Sequence, residues 1–168
     1  MRFGVISDTH DNVAAIERAL DLFEEAGVNL LVHCGDYVAP PTLPFYEGFE
    51  VHGVLGNNDG ELDGLERTLD GLGTGSELHG RYAELEIGDA DVFVLHGDQG
   101  KDAVEEYAQS GDYDYVLYGH FHEAEVRTVG ETTVVNPGAH FPTVPEADRS
   151  VAVVDTEAET VDLRSLQD

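Results

Sequence analysis

The sequence predicts an α/β fold, and three observations carry the expectation. Short apolar runs rich in β-branched residues, at 3–7 and 28–34, flank a segment at 13–26 whose apolar residues fall at helical spacing. Strand, helix and strand in direct succession make a βαβ unit with its strands parallel. Further apolar runs at 49–55, 91–95 and 113–118 each lead into a glycine that neighbours an Asn or a His. At 168 residues the chain suits one domain with a sizeable core and is short for two, so a single domain over 1–168 is expected.

Taken in order, the strand at 3–7 ends at Asp8 and His10. The helix at 13–26 carries Ala15, Ile16, Ala19, Leu20, Leu22 and Phe23 at helical spacing and stops at Gly27. A buried strand at 28–34 closes in Gly35 and Asp36, and Pro40, Pro41 and Pro44 break the connection after it. A third strand at 49–55 ends in Gly56-Asn57-Asn58-Asp59-Gly60, and a short helix is expected over 62–72. Beyond the glycine-rich stretch at 71–75, residues 82–87 alternate as a half-exposed strand does. A buried strand at 91–95 delivers His96-Gly97-Asp98, a helix follows at 103–109, and a strand at 113–118 delivers Gly119-His120-Phe121-His122. Residues 125–129 and 132–135 form a hairpin through Gly130-Glu131, Asn136-Pro137-Gly138 is a turn, and 151–155 with 160–166 make a closing hairpin.

Composition narrows the setting. Eight Lys plus Arg oppose 35 Asp plus Glu, a formal net charge of -27 spread along the chain, and Lys101 is its one lysine. A compact domain so acidic repels itself. At molar salt, where the Debye length falls to about 3 Å, that repulsion is screened. A high-salt cytoplasm is therefore the expected location. No basic face is available for phosphate neutralisation, so strong nucleic-acid binding is not expected. No apolar run approaches the roughly 20 residues of a membrane helix. The chain enters a strand at once, with no basic n-region or cleavage site, so neither membrane association nor a secretion signal is expected. The single cysteine, Cys34, excludes an internal disulfide and reads as a buried inert thiol. The sequence leaves oligomeric state open, a homo-oligomer included.

Seven residues of metal-ligand type stand just past buried strands: Asp8, His10, Asp36, Asn57, His96, His120 and His122. Open α/β folds gather ligands at the carboxyl ends of their strands, so side-by-side strands bring all seven to one sheet edge. Carboxylate oxygen mixed with imidazole nitrogen suits Mn, Fe, Ni or Zn. Each residue alone has a plain reading: Asp8 caps the next helix, and Asp36 and Asn57 serve turns. Their conjunction at five strand ends points instead to two transition ions about 3.5–4 Å apart. Asp36 is the natural bridge, since each of its oxygens can take one ion. The glycines at 35, 56, 97 and 119 let the backbone turn and pass close by. His52, His79 and His140 read as ordinary surface or core histidines, and His33 as a packing or ligand-supporting residue.

Asp8-Thr9-His10, Gly35-Asp36, Gly56-Asn57-Asn58-Asp59, His96-Gly97 and Gly119-His120-Phe121-His122 resemble, in order and spacing, the motifs of the calcineurin-like metallophosphoesterases. The short chain and the Asn136-Pro137-Gly138 turn resemble the YfcE and MJ0936-like small phosphodiesterase branch, to which the non-catalytic retromer subunit Vps29 is also related. The resemblance covers almost the whole chain and implies a four-layer α/β/β/α sandwich of two mixed β-sheets. It implies one ion on Asp8, His10, Asp36 and His122 and a second on Asp36, Asn57, His96 and His120. Mn2+ is the first expectation, with Ni2+, Co2+, Fe2+ or Zn2+ as alternatives.

The implied activity is hydrolysis of small phosphodiesters by metal-activated hydroxide, with Asn57, Asp59, His96 and His120 as candidate catalytic residues. Asp59 is expected to orient Asn57 or the nearby backbone. Many family members have Gly-Asn-His-Glu where this chain has Gly56-Asn57-Asn58-Asp59, and Asn58 cannot protonate a leaving group. Asp98 stands where another histidine commonly follows. None of the five loops carries Arg, so the ions are expected to supply nearly all the positive charge, and Lys101 reads as a surface lysine. The alternatives are a Vps29-like binding scaffold and an Mre11-like nuclease. Seven competent donors speak against the first, and the short acidic chain against the second.

Overall fold

The structure, a computed structural model, describes residues 1–167. In chain order its elements are β1 (Arg2–Ile6), α1 (Val13–Glu25), β2 (Leu30–His33), β3 (Glu50–Gly53), α2 (Leu62–Asp70), β4 (Glu77–Leu78), β5 (Tyr82–Ile87), β6 (Ala90–Leu95), α3 (Lys101–Ser110), β7 (Tyr115–Leu117), β8 (Glu125–Val129), β9 (Thr132–Asn136), β10 (Ser150–Asp155) and β11 (Thr160–Ser165). Short 3-10 helices cover Pro40–Tyr46 and Glu146–Asp148.

The strands form two mixed sheets. The first runs β11-β10-β1-β2-β3-β4. Strands β1 to β4 are parallel, and β10 joins β1 antiparallel with Gly4 opposite Val153. The second runs β5-β6-β7-β9-β8, with β6, β7 and β9 parallel between antiparallel edges.

Alternation along β1 shows how the sequence makes layers. Phe3 and Val5 point into a core shared with Val92, Val94 and Leu117 of the second sheet. Ile6 points the other way, into a core with Ile16, Ala19, Leu20 and Phe23 of α1 and Leu65 and Leu69 of α2. Those α1 residues are spaced as one helical stripe, and Asn12 starts the helix by accepting the Ala15 N–H at 3.2 Å. Gly4 sits where α1 presses closest: a Cβ there would lie 2.5 Å from the Phe23 ring. A third core packs Val104 and Ala108 of α3 on Phe93, Leu95, Val116 and Val134. Helices, sheet, sheet and helix are thus the four α/β/β/α layers that the sequence led us to expect.

Several expected elements differ in extent. The strand expected at 113–118 pairs only over Tyr115–Leu117, and the one at 28–34 only over Leu30–His33. In each case flanking residues still bond to the neighbouring strands, Cys34 N–H to Ile6 O at 2.9 Å and Tyr118 N–H to Val135 O at 3.0 Å, as the chain leaves the ladder. The two-residue strand β4 has too little length to show a period. Among the described residues no helix is long and apolar enough to cross a membrane.

Candidate metal centre

The seven strand-end residues meet in one place, but not on one sheet edge as expected. Asp8, His10, Asp36 and Asn57 follow β1, β2 and β3 of the first sheet, whereas His96, His120 and His122 follow β6 and β7 of the second. The correction arises because β4 and β5, adjacent in the chain, belong to different sheets. Strand order is non-local information that strand-by-strand reading does not contain.

The loops that carry these residues are held in an unusual backbone. Asp8, His10, Asp36, His120 and His122 have φ of 51°, 44°, 59°, 64° and 58°. Left-handed non-glycine residues cost on the order of 1–3 kcal/mol each and persist where the surroundings over-determine them. Here the loops bind one another. The Asp8 N–H donates to Gly35 O at 3.0 Å, His10 N–H to Asp36 O at 3.1 Å and His140 N–H to Asp8 O at 3.1 Å. Across the sheets, His120 N–H donates to Asp8 Oδ2 at 3.0 Å, and the Ser7 hydroxyl reaches the same oxygen at 2.5 Å.

The side chains form two adjoining donor groups. In the first, His10 Nε2 lies 3.7 Å from Asp8 Oδ1 and 3.3 Å from Asp36 Oδ2, and His122 Nε2 lies 3.2 Å from Asp8 Oδ1. In the second, Asn57 Oδ1 sits 3.0 Å from both His96 Nε2 and His120 Nδ1. Asp36 Oδ2 is also 3.4 Å from His96 Nε2, which places its carboxylate between the groups.

The electrostatics ask for cations. Asp8 and Asp36 are 0% and 1% exposed, and burying two carboxylates side by side costs several kcal/mol per ion unless they are paired. Burial pushes both carboxyls up, yet hydrogen bonds from His10, with His122 for Asp8 and His96 for Asp36, outweigh it and hold both well below the usual range. In return Asp36 and then Asp8 raise His10 to about 9. Burial, followed by the nearby His96, lowers His120. Yet Asp8 Oδ1 and His10 Nε2 are buried with these ion-pair contacts, at 3.2–3.7 Å, and neither has a partner in good hydrogen-bond geometry. A carboxylate oxygen and an imidazole nitrogen, both able to offer a lone pair into one gap, are what a divalent ion would satisfy, so this donor set fits a transition metal.

Other residues fix the donors. His96 Nδ1 lies 2.8 Å from Cys34 O, an arrangement that makes Nδ1 the donor and leaves Nε2 bare. Asp59 accepts the N–H groups of Asp36, Val38 and Gly56 at 2.8, 2.9 and 2.8 Å, so of the two expected roles these hydrogen bonds give it the backbone one. Asn58 donates its backbone and side-chain N–H to the two oxygens of Asp36, at 2.9 and 2.8 Å. His33 packs rather than ligates, stacked on Tyr37 at 3.8 Å, and burial lowers it to about 3. Phe141 packs edge-on against His10 and His122, at 4.7 and 4.5 Å between ring centres. No periodicity marks that phenylalanine in the sequence.

Positive charge reaches the rim from outside the five loops. Arg81, between β4 and β5, donates to Gly56 O at 3.4 Å and lies 3.6 Å from Asp98. Lys101 pairs with Glu123 at 3.2 Å, over the Phe121 ring.

Comparison with known proteins identifies the family and the fold. The family profile described as the calcineurin-like phosphoesterase superfamily domain matches residues 1–159. The chain is 32% identical over 162 residues to phosphodiesterase MJ0936 of Methanocaldococcus jannaschii, covering 94% of each. The structure of a protein described as a novel archaeal phosphodiesterase superposes with a TM-score of 0.87 at 29% identity, over 98% of this chain and 99% of that one. Vps29 of Entamoeba histolytica in complex with zinc shares the fold, with a TM-score of 0.63 at 19% identity over 99% and 100% of the two chains.

Proposed function

The chain belongs to the calcineurin-like phosphoesterase superfamily, and from that premise we propose that it is a phosphodiesterase that hydrolyses small phosphodiesters at a two-metal centre. One observation carries the proposal: Asp36 stands between an Asp8, His10, His122 group and an Asn57, His96, His120 group. Asp8, His10, Asp36 and His122 would hold one ion, and Asp36, Asn57, His96 and His120 the other. Mn2+ is the first candidate, and the centre lies within a single domain that occupies the chain. When bound, a pair of divalent ions supplies Lewis-acid polarisation of phosphoryl oxygens and a lowered pKa for water.

The chain's own contribution is placement. Asp59 and the crossed loop hydrogen bonds fix the backbone under Asp36, and Cys34 O fixes the His96 ring. Phe141 keeps His10 and His122 from turning away. Asn58, which donates to Asp36, is an amide with no acidic proton to give a leaving group. The expected result is a rate that falls steeply as the leaving-group pKa of aryl phosphodiesters rises. Single-turnover rates across such a series check it, and a flat dependence contradicts it.

Arg81 is the guanidinium on the rim, so it would meet a phosphodiester's anionic oxygens as they arrive. Arg81→Ala is expected to raise KM about tenfold, the equivalent of about 1.4 kcal/mol, with kcat within twofold of wild type. Steady-state kinetics separate the two parameters.

Vps29 has the same fold, so the fold alone does not select catalysis over scaffolding; the full donor set favours the enzyme. A net charge of -27 on 168 residues supports a high-salt cytoplasm as the setting. The deciding experiment is a panel of phosphomonoesters and diesters assayed at high salt with Mn2+, Ni2+, Co2+, Mg2+ and Zn2+. Turnover of diesters that a chelator abolishes supports the proposal, and no turnover with any of these ions rejects it.

A further inference from the structure

Two tripeptides of the same form, Glu50-Val51-His52 and Glu77-Leu78-His79, lie side by side on β3 and β4. A strand's period of two puts Glu50 with His52 on one face, and Glu77 with His79. The parallel register sets His52 opposite Glu77, so both pairs share that face. The result is a cluster away from the centre described above, five residues before Asn57. His52 Nδ1 and His79 Nε2 face each other at 2.9 Å. Glu50 lies 2.7 Å from His52 Nε2, and a Glu77 oxygen is 3.9 Å from His79 Nδ1. One ligand atom each from His52, Glu77 and His79 falls within 4.8 Å of the others.

We propose that His52, His79 and Glu77 form a separate site for one divalent transition ion, of which Zn2+ is the best match, with Glu50 as the residue that orients His52. Glu50 accepts a hydrogen bond from the Nε2–H of His52, which leaves Nδ1 bare, as carboxylates commonly do behind metal-bound imidazoles. Two ring nitrogens 2.9 Å apart share a single proton, carried by His79 Nε2; when His79 carries its proton on Nδ1 instead, both facing nitrogens are bare and an ion can take the proton's place. With bonds of about 2.0–2.1 Å in tetrahedral geometry, two imidazole nitrogens sit roughly 3.3 Å apart. A small rotation of either ring opens that gap. Two imidazoles with one carboxylate select Zn2+, Ni2+ or Co2+ over Mg2+ and Ca2+. The ring side chains are 17% and 18% exposed, so an ion enters from solvent, and water completes its shell. Binding would clamp β4, two residues long and at the sheet edge, onto β3. That strand leads toward Arg81.

The test is a Zn2+ titration of metal-free wild type, His79→Gln, His52→Gln and Glu77→Gln, with bound metal counted and the unfolding midpoint followed. Wild type is expected to bind one more equivalent than either histidine variant, whatever number the other centre takes. Its midpoint should also rise further with Zn2+. Phosphodiesterase turnover of the Mn2+-loaded variants should stay within twofold of wild type. Equal equivalents in wild type and His79→Gln overturn the proposal. If the histidine variants fail to fold, Glu77→Gln decides, because its side chain is 63% exposed. A tenfold or greater loss of affinity for that last equivalent supports the site, and unchanged affinity overturns it.

Discussion

Asp36→Ala is expected to release both ions and to lower phosphodiesterase turnover by at least about 10^3-fold, whereas Asn57→Ala loses mainly one ion. The difference follows from position. Asp36 Oδ2 is within 3.3–3.4 Å of His10 and His96, one imidazole from each donor group, while Asn57 Oδ1 contacts only His96 and His120. Removing a single charge-stabilising group from an active site costs roughly 10^2–10^3-fold, and Asp36 is proposed to serve two ions at once. The fold is expected to survive, because Asp36 lies in a loop and belongs to none of the three hydrophobic cores. Metal analysis of purified protein, beside circular dichroism, reads both effects. Two ions retained in Asp36→Ala would falsify the bridge.

Gly119→Ala should damage the same centre without touching a donor. Gly119 has no positive φ, so alanine suits its backbone; the obstacle is space. A Cβ there would lie 2.0 Å from Ser7 Oγ and 2.4 Å from Asp8 Oδ2. Neither atom is free to yield, because Oδ2 also accepts the His120 N–H and the Ser7 hydroxyl. The loop must move away from β1, carrying His120 and His122 with it. Metal affinity is expected to fall about 10–100-fold, as for lost supporting contacts. Overpacking should lower unfolding stability by about 1–3 kcal/mol. Chelator competition and denaturant unfolding measure the two separately. Wild-type metal affinity in this variant would mean that His120 and His122 reach the ions by another route.

The seven proposed donors are readable in the sequence because each stands within a few residues of the end of an apolar strand, and a strand end is a local feature. Helix α1 was readable for the same reason: its stripe of Ile16, Ala19, Leu20 and Phe23 is periodic, and Asn12 precedes it. What the sequence hid depends on pairing between distant segments. The division of strands between two sheets, the arrival of Arg81 beside Gly56, and the Phe141 packing on His10 leave no periodic trace. The left-handed backbone at Asp8 and Asp36 was hidden too, since glycine is the usual marker of that conformation and neither residue is one. His52 and His79 looked ordinary apart; only the register of β3 with β4 makes them neighbours.

Each donor group draws on both sheets, the first taking His122 and the second taking His96 and His120 from the later half of the chain. Neither half therefore carries a full coordination sphere, and ions held there would fasten the two halves together at their open end. A sequence change that lets the sheets slide apart would then be expected to weaken metal binding before it unfolds the chain.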